Sequence, residues 1–291
     1  MNNLPSTFIN PPGRAEFVAA YDNTLALWPI PVEPLDVQTK YGITHINACG
    51  SKIAPPLFLL HALGFTSTMW FPNVACLSDR FRVYAVDTIN DIGLSQPNKA
   101  LRNRQECADW LCALFTELKI EQACMAGVSF GGWLTVNLAI HSPDRVKRMV
   151  AISPAAAFVP IRLQAYLSML TAALFPNGSR SMVNSIFLNG FQVNEQLANQ
   201  FTVGTNCGWQ SLGRPVFPSV FSDTELRQIK TPTLLLFGEK ETNFDPNTAL
   251  KRATHLLPCV EAHIIPQARH IINIEQPEMI NSLTMEFLSR P

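Results

Sequence analysis

Cys124-Met125-Ala126-Gly127-Val128-Ser129-Phe130-Gly131-Gly132 sets a short apolar run against a cluster of small residues around a single serine. This is a Gly-x-Ser-x-Gly pentapeptide. Glu121 to Ala126 reads as a buried strand, and Trp133-Leu134-Thr135-Val136-Asn137-Leu138-Ala139-Ile140 has helical apolar spacing that stops before Ser142-Pro143. A serine between a strand and a helix sits on a sharp, strained turn, and glycines two positions to either side are needed where a Cβ would strike neighbouring backbone. The turn lifts the hydroxyl clear of the sheet and sets it over a helix N-terminus, whose unpaired N–H groups face a developing oxyanion. Glycine and serine also crowd ordinary turns, so the pentapeptide acquires meaning only from its surroundings.

Those surroundings repeat the same pattern. Pro56 to His61, Phe81 to Asp87, Arg148 to Ser153, Thr233 to Gly238 and Ala262 to Pro266 read as short buried strands. Helical spacing separates them near Trp70 to Leu77, over Arg104 to Leu118, over Thr248 to Leu256 and over Met279 to Leu288. Strands alternating with helices imply an α/β fold with a mostly parallel central sheet flanked by helices, whose ligands bind beyond the carboxyl ends of the strands. Leu35 to Asn47 alternates about a Tyr41-Gly42 turn, as an antiparallel hairpin would. Residues 1–34 form an extension with an amphipathic helix from Ala15 to Trp28, whose role the sequence does not disclose.

The alternation breaks between 155 and 222. Strand-like runs vanish there, and the charged side chains are only Arg162, Arg180, Glu195 and Arg214. An inserted helical cap is expected at 155–222, with 35–154 and 223–291 making the core. Phe158, Tyr166, Met169, Phe175, Met182, Phe187, Phe191, Phe201 and Trp209 are candidates for an apolar substrate pocket, although packing of cap on sheet is the more economical reading.

With 291 residues, 47% of them hydrophobic and 15% charged, the chain can bury a substantial core. Its formal net charge of +0 argues against nucleic acid or an anionic membrane as partner and leaves a small, fairly apolar molecule. No basic-then-apolar leader and no apolar run near the roughly 20 residues of a membrane span is present, so a soluble cytoplasmic protein is expected. Seven scattered cysteines without Cys-x-x-Cys pairing read as buried free thiols of a reducing compartment rather than a zinc site.

A serine nucleophile needs a histidine to take and return its proton, and an acid to hold that histidine. His270 lies just past the last expected strand, at the same sheet edge as Ser129. Glu241 leaves the preceding strand and is the preferred acid, with Asp245 second. Ser129, Glu241 and His270 then follow the order serine, acid, histidine of the α/β-hydrolase arrangement. The backbone N–H groups of Leu63, in the loop after His61, and of Phe130 are the candidate oxyanion-hole donors.

These residues, with Leu59-Leu60-His61-Ala62-Leu63-Gly64, Pro143-Asp144-Arg145-Val146 and Glu275-Gln276-Pro277, resemble the α/β-hydrolase superfamily from about residue 35 onward. Ser67 to Asn73, Arg82 to Asp87 and Phe221 to Leu226 resemble more narrowly the carboxylesterase NP group of bacterial serine esterases. The resemblance implies a serine carboxylesterase acting on bulky, apolar esters through an acyl-enzyme, without metal or organic cofactor. Carbon–carbon bond hydrolysis, perhydrolysis, acyl transfer to another alcohol and non-catalytic ligand binding are the other chemistries such a site could serve, and a homodimer stays open. Most members have His-Gly where this chain has His61-Ala62, and a Cβ there is strained if that position needs φ > 0.

Overall fold

A computed structural model describes residues 11–167, 178–208 and 216–290. A nine-stranded sheet runs through the molecule in the order β1-β2-β4-β3-β6-β7-β8-β9, with the short β5 (Gln96–Pro97) pairing on β2. The strands on that path are β1 (Glu33–Thr39), β2 (Gly42–Cys49), β3 (Pro56–Leu60), β4 (Arg82–Val86), β6 (Ala123–Val128), β7 (Val146–Ile152), β8 (Thr233–Gly238) and β9 (Val260–Ile265). β1 and β2 form the antiparallel hairpin, and β2 runs antiparallel to β4. All pairings from β4 through β9 are parallel. The hairpin turn is Lys40-Tyr41, one residue before the expected pair, because Gly42 opens β2 at φ +122° where a Cβ would stand 2.2 Å from the Gln96 carbonyl oxygen.

The parallel strands read as continuous apolar runs because both sheet faces are buried. Alternate residues divide between two cores. Phe58, Leu60, Met125, Leu235 and Phe237 pack with Trp110, Leu111, Leu114 and Phe115 of α3 (Arg104–Glu117) and Trp133 and Leu134 of α4 (Phe130–His141). Leu57, Leu59, Ala126, Ile152 and Leu236 face the other way, toward Val74 and Leu77 of α2 (Val74–Ser78) and Ile280 and Phe287 near the C-terminus. The expected helix from Trp70 to Leu77 is split into a 3₁₀ turn, Ser67–Trp70, and α2. Pro72 between them has no N–H with which to continue the ladder.

The N-terminal helix α1 (Pro11–Leu25) starts and ends earlier than the apolar spacing suggests. Its Phe17 and Tyr21 are fully buried with Ile92 and pack against Val203 and Cys207. Between β7 and β8 the described residues hold no strand. They contain α5 (Gly178–Ile186) and α6 (Glu195–Gly208), and α7 (Asp223–Gln228) leads back into the sheet through a Ser222/Glu225 capping box. Of the nine apolar candidates there, Phe158, Met182, Phe187 and Phe201 are buried in the two cores, and Phe191 stacks on Phe187 at 5.4 Å. Tyr166 is exposed, and Met169, Phe175 and Trp209 lie outside the described residues.

Candidate active site

Ser129 joins β6 to α4 with φ 54° and ψ −111°, a conformation that L-residues adopt only under strain. The strain is held by its neighbours. Ser129 N–H donates to the Ile152 carbonyl at 2.8 Å, and its own carbonyl accepts from Trp133 and Ala155. A Cβ on Gly127 would stand 2.2 Å from the Gly131 carbonyl oxygen, and one on Gly131 would stand 2.1 Å from that of Leu60. Only glycine at both positions lets the elbow close against the end of β3.

β8 and β9 deliver the partners. His270 Nε2 lies 2.8 Å from Ser129 Oγ, and His270 Nδ1 lies 2.6 Å from Glu241 Oε2. The second Glu241 oxygen accepts from the Asn243 N–H at 2.8 Å. All three side chains are nearly buried, at 8% exposure for Ser129, 3% for His270 and 5% for Glu241. Phe244 closes edge-on against the imidazole, its ring centre 6.3 Å away. Asp245 goes elsewhere: it caps α8 (Pro246–Leu256) by accepting from the Thr248 N–H and hydroxyl. Hydrogen bonds to Thr248 hold its carboxyl below its usual pKa.

The turns carrying Glu241 and His270 are laced together. Lys240 N–H donates to the Ala268 carbonyl at 2.9 Å, and Gln267 N–H to Glu239 Oε2 at 3.1 Å. Gly238 permits this, since a Cβ there would stand 1.9 Å from the Arg269 carbonyl oxygen. Sequence reasoning did not single out Gly238; its signal was a glycine closing an otherwise apolar strand just ahead of the acid.

The loop after β3 is fixed by buried polar contacts. His61 Nε2 accepts from the Thr88 N–H at 2.8 Å, so its ring proton is on Nδ1 and donates to the Ala62 carbonyl at 2.9 Å. Gly131 N–H donates to the His61 carbonyl, tying loop to elbow. Asp91, another residue that sequence reasoning passed over, accepts from the N–H groups of Gly64 and Ile92. Ala62 is not among the positive-φ residues, so alanine in place of the commoner glycine carries no backbone strain. Among the described residues no acceptor takes the N–H of Leu63 or of Phe130, the first residue of α4. Both N–H groups are therefore without an acceptor, one on the residue after Ser129 and the other in the loop that Gly131 ties to the elbow.

Among the described residues no cluster of three or more His, Cys, Asp or Glu is arranged to hold a metal, and no helix is long and apolar enough to cross a membrane. Of the remaining histidines, His45 contacts Asp36, His141 the Asn137 carbonyl and His263 Glu261, while His255 is exposed in the last turn of α8.

Residues 55–277 match the family model described as alpha/beta hydrolase fold. The chain is 40% identical over 280 residues to carboxylesterase YbfK of Bacillus subtilis, covering 94% of this chain and 93% of that protein. Its fold superposes on the crystal structure of carboxylesterase CesB (YbfK) from B. subtilis with a TM-score of 0.91 at 39% identity, covering 96% of this chain and 99% of that one. Against naproxen esterase (carboxylesterase NP) from B. subtilis the TM-score is again 0.91, at 37% identity, over 95% of this chain and 98% of the other. A parallel sheet with its serine on a strained elbow, and relatives at this identity along nearly the whole length, place the chain in the α/β-hydrolase family.

Proposed function

We propose that this carboxylesterase hydrolyses fairly apolar esters by two acyl transfers at Ser129. The observation that carries the reading is the continuous hydrogen-bonded line from Ser129 Oγ through His270 to Glu241, at 2.8 and 2.6 Å. His270 takes the Ser129 proton as Oγ attacks the ester carbonyl, and gives it to the departing alkoxide as the C–O bond breaks. Glu241 holds the Nδ1 proton and stabilises the imidazolium. The free N–H groups of Leu63 and Phe130 receive the oxyanion, and the N-terminal end of α4 adds its positive dipole. Water, deprotonated by His270, then attacks the acyl-enzyme, and Ser129 leaves with the proton restored.

Residues 155–222 serve as the cap over this site, with 1–34 as an extension and 35–154 and 223–291 as the core. The scarcity of charge in this segment, limited to Arg162, Arg180, Glu195 and Arg214, favours an apolar acyl or alcohol group. Seven cysteines without a disulfide among them, several buried, suit a reducing cytoplasm. A homodimer stays open, and gel filtration tests it.

The function is tested by initial rates on p-nitrophenyl esters of graded acyl length and branching. Wild type should turn over, Ser129→Ala and His270→Ala should lose about 10⁴-fold or more in kcat, and Glu241→Ala should be far more damaging than Asp245→Ala. Ester turnover retained by Ser129→Ala contradicts it.

A further inference from the structure

Glu275 is a carboxylate placed at the edge of the site, in α9 (Ile272–Glu275), with 9% of its surface exposed. Its two oxygens have different clients. Oε2 accepts from the backbone N–H of Arg269, the residue before His270, at 2.7 Å. Oε1 accepts a short hydrogen bond from the backbone N–H of Leu188, in the segment that follows α5. The end of α5 and the segment after it grip the histidine loop at three more points. His270 N–H donates to the Ile186 carbonyl at 3.2 Å, and the Arg269 guanidinium donates to the Ser185 carbonyl at 2.9 Å and to Asn189 Oδ1 at 3.2 Å.

A buried anion bound by two uncharged N–H groups is expensive unless both are supplied, and burial does push the Glu275 carboxyl above its usual pKa. A hydrophobic or amide side chain would fill this space without that cost. Glutamine has a single acceptor oxygen, and its NH₂ would be set against one of the two N–H groups. A carboxylate is the side chain that satisfies both.

We propose that Glu275 is a positioning residue for His270: it bridges the helical insertion and the histidine loop, so that seating of residues 185–189 sets the imidazole in line between Ser129 and Glu241. Arg269 and His270 are charged neighbours that act to lower the Glu275 carboxyl pKa, against burial, and residues 185–189 carry no charged side chain. Replacing this carboxylate by an amide removes one negative charge from beside the histidine loop. The proposal rests on His270 acting as the general base, and the test separates the two.

Glu275→Gln, which keeps the volume, and Glu275→Asp, which keeps the charge, are compared with wild type in two readouts. One is kcat and KM on a p-nitrophenyl ester together with melting temperature. The other is the His270 imidazole pKa by NMR, assigned from the resonance lost in His270→Ala. Glu275→Gln should lower kcat about tenfold or more with KM changed by no more than about twofold, as a displaced catalytic group does. It should also lower the His270 pKa, moving the acid limb of kcat/KM to lower pH, while Glu275→Asp keeps that pKa near wild type. A folded Glu275→Gln with unchanged kcat and unchanged His270 pKa overturns the proposal, and so does a kcat loss that merely follows the melting temperature while the pKa stays in place. The imidazole titration does not depend on turnover, so a wild type inactive on every ester would defeat the esterase chemistry at His270 and still leave the Glu275 contact decided by the pKa.

Discussion

Glu241 and Asp245 are four residues apart and chemically alike, yet the backbone gives them unrelated tasks. Glu241 faces His270, whereas Asp245 satisfies the first turn of α8. Asp245→Ala should lower stability by about 1 kcal/mol, the usual worth of an N-cap, with kcat unchanged; thermal denaturation and ester kinetics read the two effects separately. From sequence, either acid could serve, because a loop's side-chain directions are set by hydrogen bonds that sequence does not display. The serine and the histidine were legible for a different reason: each follows an apolar strand, and parallel strands deliver their ends to one edge. Gly238 and Glu275 were not legible as site residues, since their reason lies in a backbone approach of 1.9 Å and in two N–H groups from distant segments.

At the scale of elements, the strand-helix alternation was plain because burial on both sheet faces forces unbroken apolar runs. The N-terminal helix was legible as a helix but not as a part of the machinery. Its Tyr21 hydroxyl accepts from Asn47 Nδ2 at 2.6 Å and lies 3.0 Å from Ser67 Oγ, which donates to Asp87 at 2.6 Å. Trp28, just beyond the helix, donates to the Thr68 carbonyl. Burial and the Asp87 charge push the Tyr21 phenol well above its usual pKa, so the hydroxyl stays protonated. Tyr21→Phe should cost about 1–3 kcal/mol, the penalty of stranding a buried amide donor, measured by urea unfolding. An effect near zero would show that Asn47 finds its second partner in Ser67 alone. On the opposite side of the same loop, Gln200 of α6 accepts from the Thr68 hydroxyl at 2.7 Å and donates to Thr66 Oγ1 at 2.9 Å. One segment, residues 66–68, thus holds both α1 and α6.

For the whole molecule, charge and thiol chemistry make separate predictions. Glu33 beside Lys52 and Arg82, Asp223 beside Arg252, and Glu261 beside Arg290 all have carboxyl pKa values lowered by hydrogen bonds to those cations. A depressed folded-state pKa gives stability that is present above the unfolded value and is lost as pH falls through the folded one. The melting temperature should therefore fall as pH drops below about 4, the ordinary carboxylate range, and added salt should weaken the effect at these exposed pairs. Burial raises Cys49 and Cys107 to about 12 and Cys124 to about 11. Thiolate is the reactive form, so a native-state thiol titration should find Cys259, the exposed cysteine, reacting first and these three only after unfolding.

The claim on which the account turns is that Ser129 carries the acyl group. Incubation with a p-nitrophenyl phosphonate, a stable mimic of the tetrahedral intermediate, followed by intact-mass analysis and peptide mapping, tests it directly. One adduct per chain, on Ser129, with none in Ser129→Ala and slowed formation in His270→Ala, is the expected result. An adduct elsewhere, or equal labelling of Ser129→Ala, would contradict it.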